Sequence, residues 1–170
     1  KPLVDTVGLV FPYTPTISIT HAANYQALDP VHNNYPFMAY QNSKIEQMTI
    51  TGQFYVEDSF DANYWVAAVH YLRSVTKMSY GDTSNPVVRL NGYGDFVFND
   101  IPVVVTAFTV DLPNDVDYIS TSIGGGQVSY VPVKSQISVT VQPLYSREEV
   151  RKFSLDSFVN GDYIKTGGYM

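Results

Sequence analysis

The chain has 170 residues and a mass of 19.0 kDa, with ten Lys and Arg against sixteen Asp and Glu, a formal charge of −6 and no cysteine. Disulfides, thiolate metal sites and thiol catalysis are thereby excluded, and an acidic balance has the wrong sign for a protein that grips phosphate backbones. One domain over residues 1–170 is expected, and at this length folding hides about 70% of the unfolded surface, enough for a core without staples.

No apolar run reaches the roughly 18 residues that a membrane helix needs, so no membrane partner is expected. The opening KPLVDTVGLVF lacks the order of a signal peptide and starts at Lys1, which suggests a cytoplasmic product that is an excised or processed part of a longer protein. The first regular element is TISITHAANY, Thr16 to Tyr25, with Ile17, Ile19, Ala23 and Tyr25 on one face and Thr16, Ser18, Thr20 and Asn24 on the other. That alternation predicts a half-buried strand. Asn34 to Tyr40, NYPFMAY, reads as an aromatic loop too apolar for a free tip, either core or a contact between subunits.

Lys44 to Val56 predicts a second strand, with Met48, Ile50, Phe54 and Val56 against Thr49, Thr51, Gln53 and Tyr55. Ile45 is out of phase, which predicts a bulge near Glu46-Gln47. The long helix is SFDANYWVAAVHYLRSVTK, capped by Asp58 or Ser59, with Tyr64, Trp65, Ala68, Val69 and Leu72 at helical spacing and Lys77 in the last turn. Asn91-Gly92 predicts a type I′ hairpin turn. Ile101 to Leu112 is apolar on both faces and predicts a strand through the middle of the packing. Tyr118 to Tyr130 carries Gly124 to Gly126 and reads as a hairpin, and Val131 to Gln142 sets Val131, Val133, Ile137, Val139 and Val141 against a polar face. Ser146 to Glu149 fits a capping box for a short helix to about Phe153, and Ser154 to Gly161 fits another short helical turn. The fold class is therefore mainly β, antiparallel, with one packed α-helix.

Motifs that carry chemistry are weak. Gly92-Tyr93-Gly94 starts like a dinucleotide loop, but Val97 stands where the third glycine is needed and a strand follows instead of a helix. His21, His32 and His70 lack metal-ligand spacing, so no metal site is expected. Asp111, Asp115 and Asp117 lack the glycine and distal glutamate of a calcium loop. No G-x-S-x-G elbow occurs. The chain is read as a non-enzyme without cofactors. Two rivals stay open: a carbohydrate-binding domain using its 14 tyrosines, and a glycan hydrolase whose paired carboxylates need only meet in space. Trp65 at core spacing speaks against the first.

One pattern is unusual. The polar faces of the strands hold hydroxyls and amides with hardly a charge, where an ordinary solvent face is about a quarter or more charged. A wet, shared channel has that character, as do some plain Thr-rich sheets.

Four stretches, NNYPFMAYQNSKIEQMTITGQF, ANYWVAAVHYLRSVTKMSYG, NGYGDFVFNDIPVVVTAFTVDLPNDVDYI and VPVKSQISVTVQPLYSREEVRKFSLDSFVNG, together resemble the baseplate tube proteins of contractile-tailed, T4-like bacteriophages, the tail-tube cap and initiator proteins. They span most of Asn33 to Gly161. The resemblance implies an antiparallel β-barrel or sandwich of the tail-tube type, in which six copies form a ring around a lumen. It implies a structural virion protein of the tail baseplate, assembled in the host cytoplasm. Its partners would be further copies, baseplate hub proteins, the tail-tube subunit and the tape-measure protein, with DNA only in transit. Members of that group are longer, so the chain resembles either their C-terminal, tube-like part or a short relative. On this reading Thr49, Thr51, Gln53, Gln136, Ser138 and Thr140 face the lumen, and Tyr35, Phe37, Met38 and Tyr40 form inter-subunit contacts.

Overall fold

The structure, a computed structural model, describes residues 2–77, 86–94, 96–123 and 126–170. In chain order its elements are α1 (Pro2–Asp5), β1 (Thr16–Ser18), β2 (His21–Leu28), β3 (Phe37–Ile45), β4 (Met48–Tyr55), α2 (Ser59–Val75), β5 (Val88–Gly92), β6 (Phe98–Val110), β7 (Tyr118–Ile123), β8 (Gln127–Pro132), β9 (Lys134–Pro143), α3 (Arg147–Lys152), α4 (Leu155–Val159) and α5 (Asp162–Thr166). All strand pairings are antiparallel. Five strands form one sheet in the order β1-β4-β9-β6-β5, and β2-β3 and β7-β8 are two-stranded hairpins.

Alternation in β4 and β9 sets the core. Met48, Ile50, Phe54 and Val56 point the same way as Ile137, Val139 and Val141, and all are buried in one cluster. Helix α2 closes over them with Ala62, Trp65, Ala68, Val69, Leu72 and Val75. Asp58 caps that helix by accepting from the Phe60 and Asp61 amides at 2.8 and 2.9 Å, relieving two of its orphan donors. The Trp65 indole N–H donates to the Ser135 hydroxyl at 2.8 Å, so the one polar atom of the largest core side chain is satisfied. The helix contacts β6 and the β7-β8 hairpin, which places it between the sheet and that hairpin.

The N-terminal segment is tied to this core. The Val10 amide donates to the Tyr64 hydroxyl at 2.8 Å, and that hydroxyl donates back to the Val10 carbonyl at 2.8 Å. One residue on, the Phe11 ring lies directly over Gly52 on the buried face of β4, and its centroid is 5.7 Å from that of Phe54. Gly52 has to be glycine for that contact, because a Cβ there would overlap the ring.

Several expected elements are cut differently. Thr16 to Tyr25 is not one strand: β1 ends at Ser18 in the five-stranded sheet, and β2 begins at His21 in a separate hairpin. In β2 the half-buried residues are Ala22 and Asn24, not Ala23 and Tyr25. Asn34 to Tyr40 is not a loop throughout, since β3 begins at Phe37. The expected bulge at Glu46-Gln47 is a full break between β3 and β4. The run from Val131 is interrupted at Val133, whose amide donates to the Asp117 carbonyl and whose carbonyl accepts from the Val56 amide. Lys77 falls beyond the Thr76 C-cap, and Arg73 is the basic residue of the last helical turn.

The β5-β6 hairpin exists, but its turn is not Asn91-Gly92. Gly92 is still in β5 opposite Phe98, and the positive φ angles belong to Tyr93 (57°) and Gly94 (80°). Gly92→Val is therefore no strained substitution at a left-handed position. Residue 95 lies outside the described residues, as do Gly124 and Gly125 of the β7-β8 connection and Met78 to Gly81.

At the C-terminal end the expected capping box is present: the Ser146 amide donates to Glu149 Oε2 at 2.6 Å and the Glu149 amide donates to Ser146 Oγ at 3.2 Å. The Ser146 backbone amide and then its hydroxyl hold the Glu149 carboxyl below the usual glutamate range. Helix α4 follows and gives way at Gly161, as expected, and α5 adds a helix where an irregular tail is expected from sequence.

Two predictions follow from this packing. Gly52→Ala is expected to cost about 1–3 kcal/mol by overpacking against Phe11, and Phe11→Ala in the same chain should recover part of that cost through coupling of neighbours. Urea midpoints of the two single variants and the double variant measure it. Because the folded pKa of Glu149 is depressed, its stabilising contribution is complete above the unfolded pKa and is lost as pH falls through the folded value. Glu149→Gln, which cannot ionise, should flatten the acid side of the melting-temperature profile below the ordinary glutamate range.

Candidate functional site

The face of the five-stranded sheet opposite α2 is built from the polar half of each alternation. In β4 and β9 the direct partners are Thr49 with Thr140, Thr51 with Ser138, and Gln53 with Gln136. The six residues read from sequence as lumen-facing thus come together as three facing pairs on one surface. Ser18 lies opposite Thr49 and Thr16 opposite Thr51 on β1, and Thr109 lies opposite Ser138 on β6. A single row therefore crosses four strands as Thr16, Thr51, Ser138 and Thr109, and the Thr51 and Ser138 hydroxyls are 3.0 Å apart.

The β6 part of this face was missed from sequence, because Ile101 to Leu112 reads as buried on both sides. Only Ile101, Pro102 and Val103 behave so; a register shift between Val105 and Ala107 then turns Ala107 and Thr109 outward. The threonines at 106 and 109 were the available signal. Gln142 reaches the margin, where its amide donates to the Ile45 carbonyl at 3.1 Å, and Thr20 lies outside the strands.

Charge is confined to the rim. Within the strands of this sheet the charged residues are Lys134, Arg89 and Asp100. Lys134 is the first residue of β9, and Arg89 pairs with Asp100 at 3.5 Å on the β5 edge. The Lys134 ammonium lies 5.8 Å from the centroid of Tyr55, whose hydroxyl donates to Gln53 Oε1 at 2.7 Å. Hydroxyls and amides of this kind exchange hydrogen bonds with water at little net gain or cost. Such a face binds nothing strongly.

The second surface is the β2-β3 hairpin. Tyr35, Phe37, Met38 and Tyr40 are 80%, 64%, 62% and 57% exposed, so the core alternative for this stretch is wrong for the single chain. Tyr25 opposes Tyr40 and Ala27 opposes Met38, which puts Tyr25, Met38 and Tyr40 on one face with the two tyrosine rings edge-on at 5.7 Å, while Phe37, opposite Leu28, lies on the other. The other face carries amides, with Asn24 donating to Asn42 at 2.7 Å and Gln41 donating to Gln26 at 2.8 Å. Tyr35 lies before β3, outside the hairpin strands.

Candidate chemistry elsewhere is thin. His21, His32 and His70 are all exposed, and among the described residues no three His, Asp or Glu side chains converge as metal ligands. No helix is long and apolar enough to cross a membrane. Burial raises the Tyr145 hydroxyl above the usual tyrosine range. It packs in an aromatic cluster with Tyr169, Phe153, Phe158 and Tyr163, which ties down α3 to α5. A scan against protein-family models finds no match for this chain, and a search of curated proteins finds none either.

The hairpin gives a direct test. Replacing Phe37, Met38 and Tyr40 together by serine is expected to leave the stability of the monomer within about 0.5 kcal/mol per site, because exposed side chains contribute little to folding. If copies of the chain associate through this hairpin, the same variant should sediment as a monomer at concentrations where the unchanged chain does not. A large drop in melting temperature would show that these side chains pack within the chain.

Proposed function

We propose that this chain is a structural subunit of a contractile phage tail, the tube-like part of a baseplate protein that caps the hub and starts tube polymerisation. In this reading copies form a six-fold ring and the outer face of β4 and β9 lines its lumen. The observation that carries the proposal is a face dominated by hydroxyls and amides that crosses four strands and keeps its one β9 charge, Lys134, at the strand end. DNA in transit must not be held, and each Lys or Arg at a phosphate adds affinity, so a lumen poor in cations is the required surface.

Two further features support it. The sheet is open, with β1 and β5 as edge strands, and an edge carries unpaired backbone groups through which a neighbouring copy can continue the sheet. The hairpin carries exposed Tyr25, Phe37, Met38 and Tyr40, the residue types that interfaces favour. A ring closes in its own plane while its unlike faces make head-to-tail contacts, one toward the hub proteins and the other toward the tube subunit, with the tape-measure protein inside.

The test is Gln136, Ser138 and Thr140 changed together to lysine. The isolated chain should stay folded, because outward strand positions tolerate lysine within a few tenths of about 1 kcal/mol. Ring formation with the tube subunit in electron micrographs, or plaque formation by phage carrying the change, should fail. Normal rings and normal plaques would overturn the lumen assignment.

A further inference from the structure

At the Tyr55 end of the polar face two hollows meet, of about 500 and about 290 Å³. Both are lined by Tyr13, Tyr55 and Glu57, so they form one groove at the margin of the sheet. The larger hollow adds hydroxyls and amides, among them Thr51, Gln53 and Gln136. The smaller adds Tyr64, Trp65 and Asp61. One compartment is thus polar and neutral. The other is aromatic and acidic.

Among the described residues the carboxylates there form no ion pair, although the Lys134 ammonium lies nearby over Tyr55. Among the described residues the ion pairs are Lys44–Glu46 and Arg89–Asp100, neither in this groove. Asp61 uses one oxygen, accepting from the Glu57 amide at 3.3 Å, and Asp58 next to them is occupied in capping α2. Tyr13 stands edge-on to Tyr55 at 5.2 Å and is about half exposed, so its ring is open to a ligand. The chain itself shows what these rings accept: the Lys134 ammonium already lies over Tyr55. A positive group beside two carboxylates and several aromatic faces gains from both.

We propose that this groove binds an arginine side chain presented by a peptide segment of a partner protein. The guanidinium stacks on the open Tyr13 ring, beside Tyr55 and Lys134, and directs its fork of N–H groups at the Glu57 carboxylate, while Asp61 adds negative potential. Arginine fits better than lysine because its planar cation can stack and form two parallel hydrogen bonds at once. Gln53 and Gln136 in the neutral compartment offer donors and acceptors to the peptide backbone on either side. The net charge of −6 favours approach of a basic segment. The groove shares Thr51, Gln53 and Gln136 with the face proposed above to line a lumen, so binding is tested on the isolated chain, where it does not depend on that assignment.

The experiment is a chemical-shift titration of the full chain with acetyl-Gly-Arg-Gly-amide, with the citrulline analogue of the same peptide, and with N-acetylglucosamine. Citrulline keeps the shape and removes the charge. Saturable shifts at Tyr13, Glu57, Asp61 and the Trp65 indole are expected for the arginine peptide, with binding weaker by about tenfold or more for citrulline. Glu57→Gln should weaken arginine binding by a similar factor without moving the melting temperature, and Tyr13→Leu should do the same through loss of the ring. Equal binding of the two peptides, shifts spread over the acidic surface without saturation, or preferential binding of the sugar would each overturn the proposal, the last by making the groove a glycan site.

Discussion

The pairing of β4 with β9 is the constraint on which the rest of the molecule depends. Eight consecutive residue pairs run from Met48 opposite Val141 to Tyr55 opposite Lys134 with no bulge between them. β1 adds to the free edge of β4, and β6 adds to the free edge of β9. A slip of one residue in this ladder would move every side chain to the other face. It would put Thr49, Thr51 and Gln53 under the helix and Ile50 and Phe54 in water. Core and outer face are therefore specified by one register, and neither can be altered without the other.

The helix side of that sheet is held by polar contacts that only this register permits. Ser135 occupies an inward position between Val133 and Ile137, where an apolar residue would be the ordinary choice, and its hydroxyl receives the Trp65 indole. Leaving that N–H buried without a partner would cost about 1–3 kcal/mol, comparable to the burial of a whole aliphatic side chain. The N-terminal segment is tied down beside Trp65 through Val10 and Tyr64, and seats Phe11 on Gly52. The same segment then turns past Tyr13 to become β1, so the strand that widens the outer face is anchored by contacts made on the inner one. That link explains how three residues of β1 hold their place at a sheet edge.

What could be read from sequence follows from where burial imposes a period. β4, β9 and α2 bury one face completely, so Met48, Ile50, Phe54, Ile137, Val139 and Trp65 announce themselves by spacing, and the Ser146 capping box by residue type. β2 and β3 bury neither face, so hydrophobic alternation there has no physical cause and misled the reading: Ile17 and Tyr25 are in phase by chance across a break at Ile19 and Thr20. The turn after β5 was misplaced for another reason. Asn91-Gly92 carries the favoured dipeptide, but the Asn91 side chain accepts from the Asp100 amide at 2.8 Å, which keeps it in the ladder and pushes the positive φ angles to Tyr93 and Gly94. Local turn preference lost to a contact nine residues away in sequence.

The distribution of charge completes the logic. Sixteen acidic and ten basic residues are available, yet among the described residues the interior of the five-stranded sheet holds none of them on its outer face. A neutral polar face cannot discriminate among partners, because it trades hydrogen bonds with water as readily as with any ligand. Recognition must then come from its borders, where Tyr13, Glu57 and Asp61 form a groove at one end and the β2-β3 hairpin presents tyrosine, phenylalanine and methionine. Those are the surfaces that lose free energy in water and gain it in contact. Apolar and charged groups at the margins, with a neutral polar middle, form the arrangement that the proposed ring would require, because its copies would have to hold one another at their borders and leave the lining free of strong contacts.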